Sequence, residues 1–265
     1  MRDPNRPTVL DRVMENPLVG LAPWIVYSIV EGPNRLELSA AIALGIAAVV
    51  LCVNWIRGQS PKMLEWADVA YFAALAIVVA FAGADLRTWL EKYGGEVANI
   101  VLMVIVVGSI VIRRPFTLPY AKESTPEDVW VTPEFIRVNY LISWVWAAAF
   151  TIEAASGLFG DVVLDQPNNF WTSWVIETFP MIVAAQFTIW YPDRLEKLRN
   201  GAEPPSVRAF LATLTPWLTV LGILVLSIGG VGPEWFGIAL IVGGVVATRA
   251  LARSAKPVAA RPGAA

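Results

Sequence analysis

The sequence predicts an all-helical bundle that crosses a lipid bilayer about eight times, and three observations carry that prediction. Of 265 residues, 56% are hydrophobic and only 16% charged, with a mean hydropathy of +0.58, whereas soluble domains carry roughly a quarter charged residues. Apolar runs recur at spanning length, about 20 residues of helix being enough to cross the hydrocarbon core. Lys and Arg also alternate between sparse and dense connections, the trace left when basic residues accumulate on the cytoplasmic side.

The apolar runs fall at 17-31, 36-56, 64-84, 96-112, 135-159, 170-191, 207-229 and 233-252. The first is the weakest, being short and interrupted by Pro23; seven spans follow it, so it reads as a retained helix rather than a signal-peptide core. Before the third span, Ser60-Pro61 offers an N-cap hydroxyl and a first-turn proline. Ahead of the fourth, Leu86, Trp89, Leu90 and Tyr93 share one helical face before Gly94-Gly95, which predicts a separate interfacial helix. The longest connection carries Thr125-Pro126-Glu127, predicting a short surface helix near 126-131, and Thr132-Pro133-Glu134 restarts the chain as span five. Beyond span six, Leu195 and Leu198 among charged residues predict a second interfacial helix, stopped by Asn200-Gly201. Gly229-Gly230 and Gly243-Gly244 read as loop or close helix packing. Many of the twelve tryptophans, among them Trp55, Trp66, Trp89, Trp171, Trp190 and Trp235, lie near span ends and fit an aromatic belt.

Orientation follows from the basic residues. With both termini cytoplasmic, only Arg35, Arg87 and Lys92 of the 20 basic residues fall outside. The whole chain, 1-265, is thus expected to be one transmembrane domain.

Composition also removes chemistry. There is no histidine, so imidazole-ligated haem, His-containing zinc sites and histidine general bases are excluded. A single cysteine, Cys52, cannot form an internal disulfide or a thiolate cluster. No Walker sequence or dinucleotide fingerprint is present. The expectation is no cofactor, no metal and no nucleic-acid partner, in a protein whose first partner is the bilayer itself.

Two acidic residues lie well inside predicted spans. Glu153 precedes Phe159 by six residues and Glu177 follows Phe170 by seven, which places both roughly 9 to 10 Å below the outer boundary at about 1.5 Å per residue. A carboxylate at mid-bilayer costs on the order of 2.5 to 3.5 kcal/mol. If a hairpin of spans five and six joins them, the pair forms a candidate proton or ion site, with Gln186 further along the same span and Pro180 freeing a backbone carbonyl beside Glu177. Asn54, Asp68, Asn99, Asn139 and Ser143 read as ordinary polar packing between helices. Arg113, Arg114, Lys122 and Arg137 form a basic cytoplasmic cluster, a surface for anionic headgroups or an acidic partner. A lipid-modifying active site would have to rest on an aspartate such as Asp68 or Asp128.

One further pattern joins these features. The short first span from Asn16-Pro17-Leu18, a fourth span ending in Arg114-Pro115-Phe116, a polar segment containing Trp130, and a fifth span opening with Arg137, Asn139 and Trp144 resemble the bacterial intracellular septation protein A family and related actinobacterial membrane proteins. The likeness covers 16-192 and leaves the last two spans and tail, 193-265, outside it. It implies an inner-membrane protein of cell-envelope synthesis or division, acting through membrane protein partners without enzymatic activity. Arg114, Pro115, Trp130, Arg137, Asn139 and Trp144 carry over as matching positions only. A scaffold or accessory subunit is therefore the first functional expectation; a proton-coupled or small-solute transporter using Glu153 and Glu177 is the alternative.

Overall fold

The computed structural model describes residue 14 and residues 17–32, 34–166 and 169–254. Arg2, Arg6, Arg12, Lys256 and Arg261, on which the cytoplasmic placement of the termini leans, lie outside the described residues. Among those described, every regular element is helical. Six helices are long and apolar enough to cross a membrane: Leu36–Ile56, Met63–Phe81, Ala84–Val111, Pro133–Val163, Val207–Ile228 and Glu234–Leu251. The chain is a multi-pass membrane protein.

Two of the eight expected spans fall short of that measure for identifiable reasons. After a single turn at Pro17–Gly20, helix α1 (Ala22–Val30) has only nine residues, Pro23 sitting in its first turn. The run at 170-191 is shared between a π-type turn, Phe170–Val175, and a helix, Ile176–Arg199, whose last turns are charged and which contains Pro180 and Pro192.

The helices gather into two compact units, Met1–Ser173 and Trp174–Ala265. The packing therefore groups the sixth apolar run with the last two, whereas the sequence likeness groups it with the first five.

In the first unit α2 (Leu36–Ile56) packs against both α1 and α3 (Met63–Phe81), and α4 (Ala84–Val111) packs against α6 (Pro133–Leu158). The start of α3 departs from expectation. Its N-cap is Lys62 rather than Ser60, because the Glu65 carboxylate turns back to accept the Lys62 backbone N–H at 3.2 Å. Gly94 and Gly95 do not end an interfacial helix either; α4 runs straight through them. The connection after α4 forms α5 (Leu118–Glu123) and only a 3-10 turn at Glu127–Val129, with no side-chain cap from Thr125. Thr132 does cap α6, its Oγ1 accepting the Phe135 N–H at 3.3 Å. Thr132→Ala is expected to cost about 1 kcal/mol, readable as a lower melting temperature in detergent. Beyond α6 the chain widens into a π-type turn, Phe159–Val163.

The second unit holds α7 (Ile176–Arg199), α8 (Val207–Leu214), α9 (Pro216–Ile228) and α10 (Glu234–Ser254). The interfacial segment expected after Tyr191 is continuous with α7. Gly229 and Gly230 turn the α9–α10 hairpin with φ of 68° and 70°. Gly244 lies against Thr219, and the Thr215 and Thr248 hydroxyls pair at 2.7 Å. Gly229 and Gly230 thus make a turn, and of the second pair Gly244 makes the close approach while Gly243 faces open space.

Trp55, Trp66, Trp89 and Trp235 are exposed, as a belt requires, Trp171 and Trp190 are half-buried, and Trp24 and Trp146 are buried in the first unit.

Candidate functional site

Helix periodicity builds the site. On α3, Glu65, Asp68 and Phe72 recur at three- and four-residue spacing; Trp24 and Tyr27 on α1 and Glu31 at its C-cap do the same. Residues three and four apart share a helical face, and these two faces meet inside the first unit. Along them lie a charged network at one end, an aromatic layer, and a set of carboxylates at the other end.

The first end centres on Lys62, which is only 3% exposed although it sits in a short connection. Its ammonium contacts Glu65 at 3.2 Å and Glu123 of α5 at 2.8 Å, and lies 4.7 Å from the centre of the Tyr120 ring. Glu65 is fully satisfied: beyond Lys62 it accepts from Asn54 Nδ2 at 2.6 Å, and Arg57 in turn donates to Asn54 Oδ1 at 3.0 Å. One turn deeper, Asp68 Oδ1 accepts the Trp24 indole N–H at 2.6 Å. Its other oxygen is buried without a hydrogen-bond partner, as is the Tyr120 hydroxyl. Burial, then the nearby Glu65, Asp68 and Glu123, pushes the Tyr120 phenol well above its ordinary range, so it stands there as a neutral hydroxyl. Gly20 makes the room for it; a Cβ at that position would fall on the phenol.

The middle is aromatic. Trp24 stacks on Tyr71 with ring centres 4.8 Å apart and meets Phe72 at 5.0 Å, while Tyr27 meets Phe72 at 5.6 Å. Trp24, Tyr27 and Phe72 are buried. The layer separates Asp68 from Glu31.

The far end is acidic. The Glu31 carboxylate lies against Gly95, and the Glu96 carboxylate lies against Gly157 of α6. Glu96 interacts electrostatically with both Glu31 and Glu153. Glu153 is 9% exposed, and its Oε2 has no hydrogen-bond partner. The rim around this set is charged, with Arg87 paired to Glu37 and Lys92 to Asp165 at 3.1 Å. Among the described residues no three acidic or cysteine side chains are grouped so as to hold a metal ion. A set of buried carboxyls in mutual repulsion is suited to exchanging protons.

The glycine at 157 gives a sharp test of this geometry. Gly157→Ala places a methyl where the Glu96 carboxylate lies, and the flexible glutamate tip must swing away. The folded yield is expected to hold while any function that depends on Glu96 falls, as a purified-yield measurement beside an activity assay would read.

Of the residues singled out by sequence, Glu153 belongs to the first unit and Glu177 and Gln186 to the second, both half-buried in α7. The acidic neighbour of Glu153 within its own unit is Glu96. Arg113, Arg114 and Arg137 are exposed and Lys122 lies 5.0 Å from the Trp130 ring centre, so these cations border the α4–α6 connection. Pro115 and Asn139 are buried there, the Asn139 carbonyl accepting the Thr117 hydroxyl at 3.1 Å. Trp144, by contrast, faces outward from α6.

The sequence reads Asn54 and Asp68 as packing and Lys62 as a basic residue of a connection, and it does not single out Glu65, Tyr120 or Glu123. The available signal was the shared face of Glu65 and Asp68 with Trp24 and Tyr27 on a second helix. Glu31 and Glu96 are not singled out by sequence, and Gly95, read there as part of a helix end, instead faces the Glu31 carboxylate.

No family model, curated protein or solved structure matches this chain.

Proposed function

We propose that the protein is a proton-coupled carrier of a small solute, working through the first unit. The observation that carries this reading is Glu153: a carboxyl buried on α6 with one oxygen unpaired, repelled by Glu96, whose own carboxylate lies against Gly157 of the same helix. An ionisable side chain held at such cost inside a membrane helix is retained where protons or ions move. In this reading the chain crosses the bacterial inner membrane eight times, counting α1 and the run 170-191, with both termini cytoplasmic. The carboxylate set then opens toward the outer face.

The experiment is flux in reconstituted vesicles under an imposed pH gradient. Glu153→Gln and Glu96→Gln are expected to abolish proton-coupled flux with normal folded yield. Unchanged flux in both variants would end the carrier reading. The same assay on Glu177→Gln and Gln186→Leu tests whether α7 contributes.

A second reading, the scaffold or accessory subunit of envelope synthesis or division, is favoured by the exposed basic set Arg113, Arg114 and Arg137. These cations fit an acidic patch of a membrane partner. Extraction into lipid nanodiscs followed by mass spectrometry would support it through a stoichiometric partner that is lost on charge reversal at Arg114 and Arg137. Recovery of the chain alone would remove it.

A further inference from the structure

We infer that the network at the Lys62 end is a second proton-binding station, and that Asp68 is the group that takes up the proton.

Among the described residues Glu65, Asp68 and Glu123 share this end with the Lys62 ammonium, which contacts Glu65 and Glu123. Arg57 donates to the Asn54 amide oxygen at 3.0 Å. Hydrogen bonds tell the carboxyls apart. Glu65 accepts from Asn54, from the Lys62 ammonium and from the Lys62 backbone, an arrangement that satisfies an ionised carboxylate. Asp68, at 1% exposure, has a single donor, Trp24, on Oδ1, and its Oδ2 has none. Two carboxyls one turn apart thus hold different roles, set by their surroundings.

An independent feature points the same way. Tyr120, on a different element, is 1% exposed and its hydroxyl lacks a partner beside these same acids. A buried hydroxyl left unpaired is costly, and a neighbouring acid that gains and loses a proton gives it a partner in one state. The step is simple: a hydronium ion in the water at this end of the bundle breaks one O–H bond and leaves as water, its proton bonds to Oδ2 of Asp68, and the carboxylate becomes a neutral carboxylic acid. The groups that bear on Asp68 are Glu65 and Tyr71 on its own helix, Glu123 and Tyr120 on α5, and Lys62 ahead of α3.

The inference deepens the carrier reading, and rests on it for the station's purpose. With Asp68 on one side of the Trp24, Tyr27, Tyr71 and Phe72 layer and Glu31, Glu96 and Glu153 on the other, each side of the aromatic barrier has its own proton acceptor.

The test is infrared spectroscopy of the purified protein in nanodiscs, stepped through pH. The wild type is expected to show the carbonyl stretch of a protonated carboxylic acid that Asp68→Asn removes and Glu65→Gln retains. Trp24→Phe, which strips the donor from Oδ1, is expected to shift that band, and it serves alone if the asparagine variant does not fold. A set of protonated-acid bands left complete by Asp68→Asn, or wholly unshifted in Trp24→Phe, would overturn the inference. So would loss of the Asp68 band on adding sodium chloride at fixed pH, which would assign the site to a metal cation instead of a proton. Absence of flux in vesicles, with the band behaving as expected, would instead sink the carrier reading and leave the station standing.

Discussion

Replacing Lys62 with methionine is expected to destabilise the first unit by about 3 to 5 kcal/mol, the cost of breaking a buried ion pair from one side. The lysine is nearly inaccessible, and its removal leaves Glu65 and Glu123 facing each other without a cation. The triple variant Lys62→Met, Glu65→Gln, Glu123→Gln is expected to recover most of that loss, because neutral amides remove the repulsion. Unfolding in a graded detergent series would read both. Recovery to near wild type would locate the penalty in the orphaned charges; a triple variant no better than the single one would place it in packing around the lysine stem.

Phe72→Ala carries the second large effect. This ring is fully buried and touches Trp24, Tyr27 and Tyr71, so truncation opens a cavity in the middle of the unit, at a cost of about 3 to 5 kcal/mol. It also thins the only layer between Asp68 and Glu31 on these helix faces. Vesicles carrying the variant and a trapped pH-sensitive dye are therefore expected to leak protons faster than wild type. A destabilised protein with an unchanged leak would show that the barrier lies elsewhere.

Much of the architecture was legible in the sequence because bilayer thickness acts on single segments. An apolar run such as 36-56 needs no partner to be recognised, and it forms one helix at Leu36–Ile56. The candidate site was legible in part. Glu153 stood out because it interrupts an apolar helix, but its acidic neighbour Glu96 sits close to Gly94-Gly95, a context that reads as the end of a helix. The glycines instead serve contact: Gly94 faces the Tyr27 hydroxyl and Gly95 the Glu31 carboxylate. Lys62 was hidden for the opposite reason. A lysine between two spans is counted as solvated topology signal, and nothing in its own neighbourhood reveals that α5, some sixty residues later, folds back over it with Tyr120 and Glu123.

The uninterrupted course of α4 has a mechanical consequence. Its 28 residues make a rod of about 42 Å at 1.5 Å per residue, well beyond a hydrocarbon core of about 30 Å. The rod carries Glu96 close to its midpoint, and near its C-terminal end the Ser109 hydroxyl accepts the Phe116 N–H at 3.2 Å, just ahead of α5. A stiff rod does not shift at its middle alone: a tilt that withdraws Glu96 from Glu153 swings that end as well and drags the base of α5, with Tyr120 and Glu123, past Lys62.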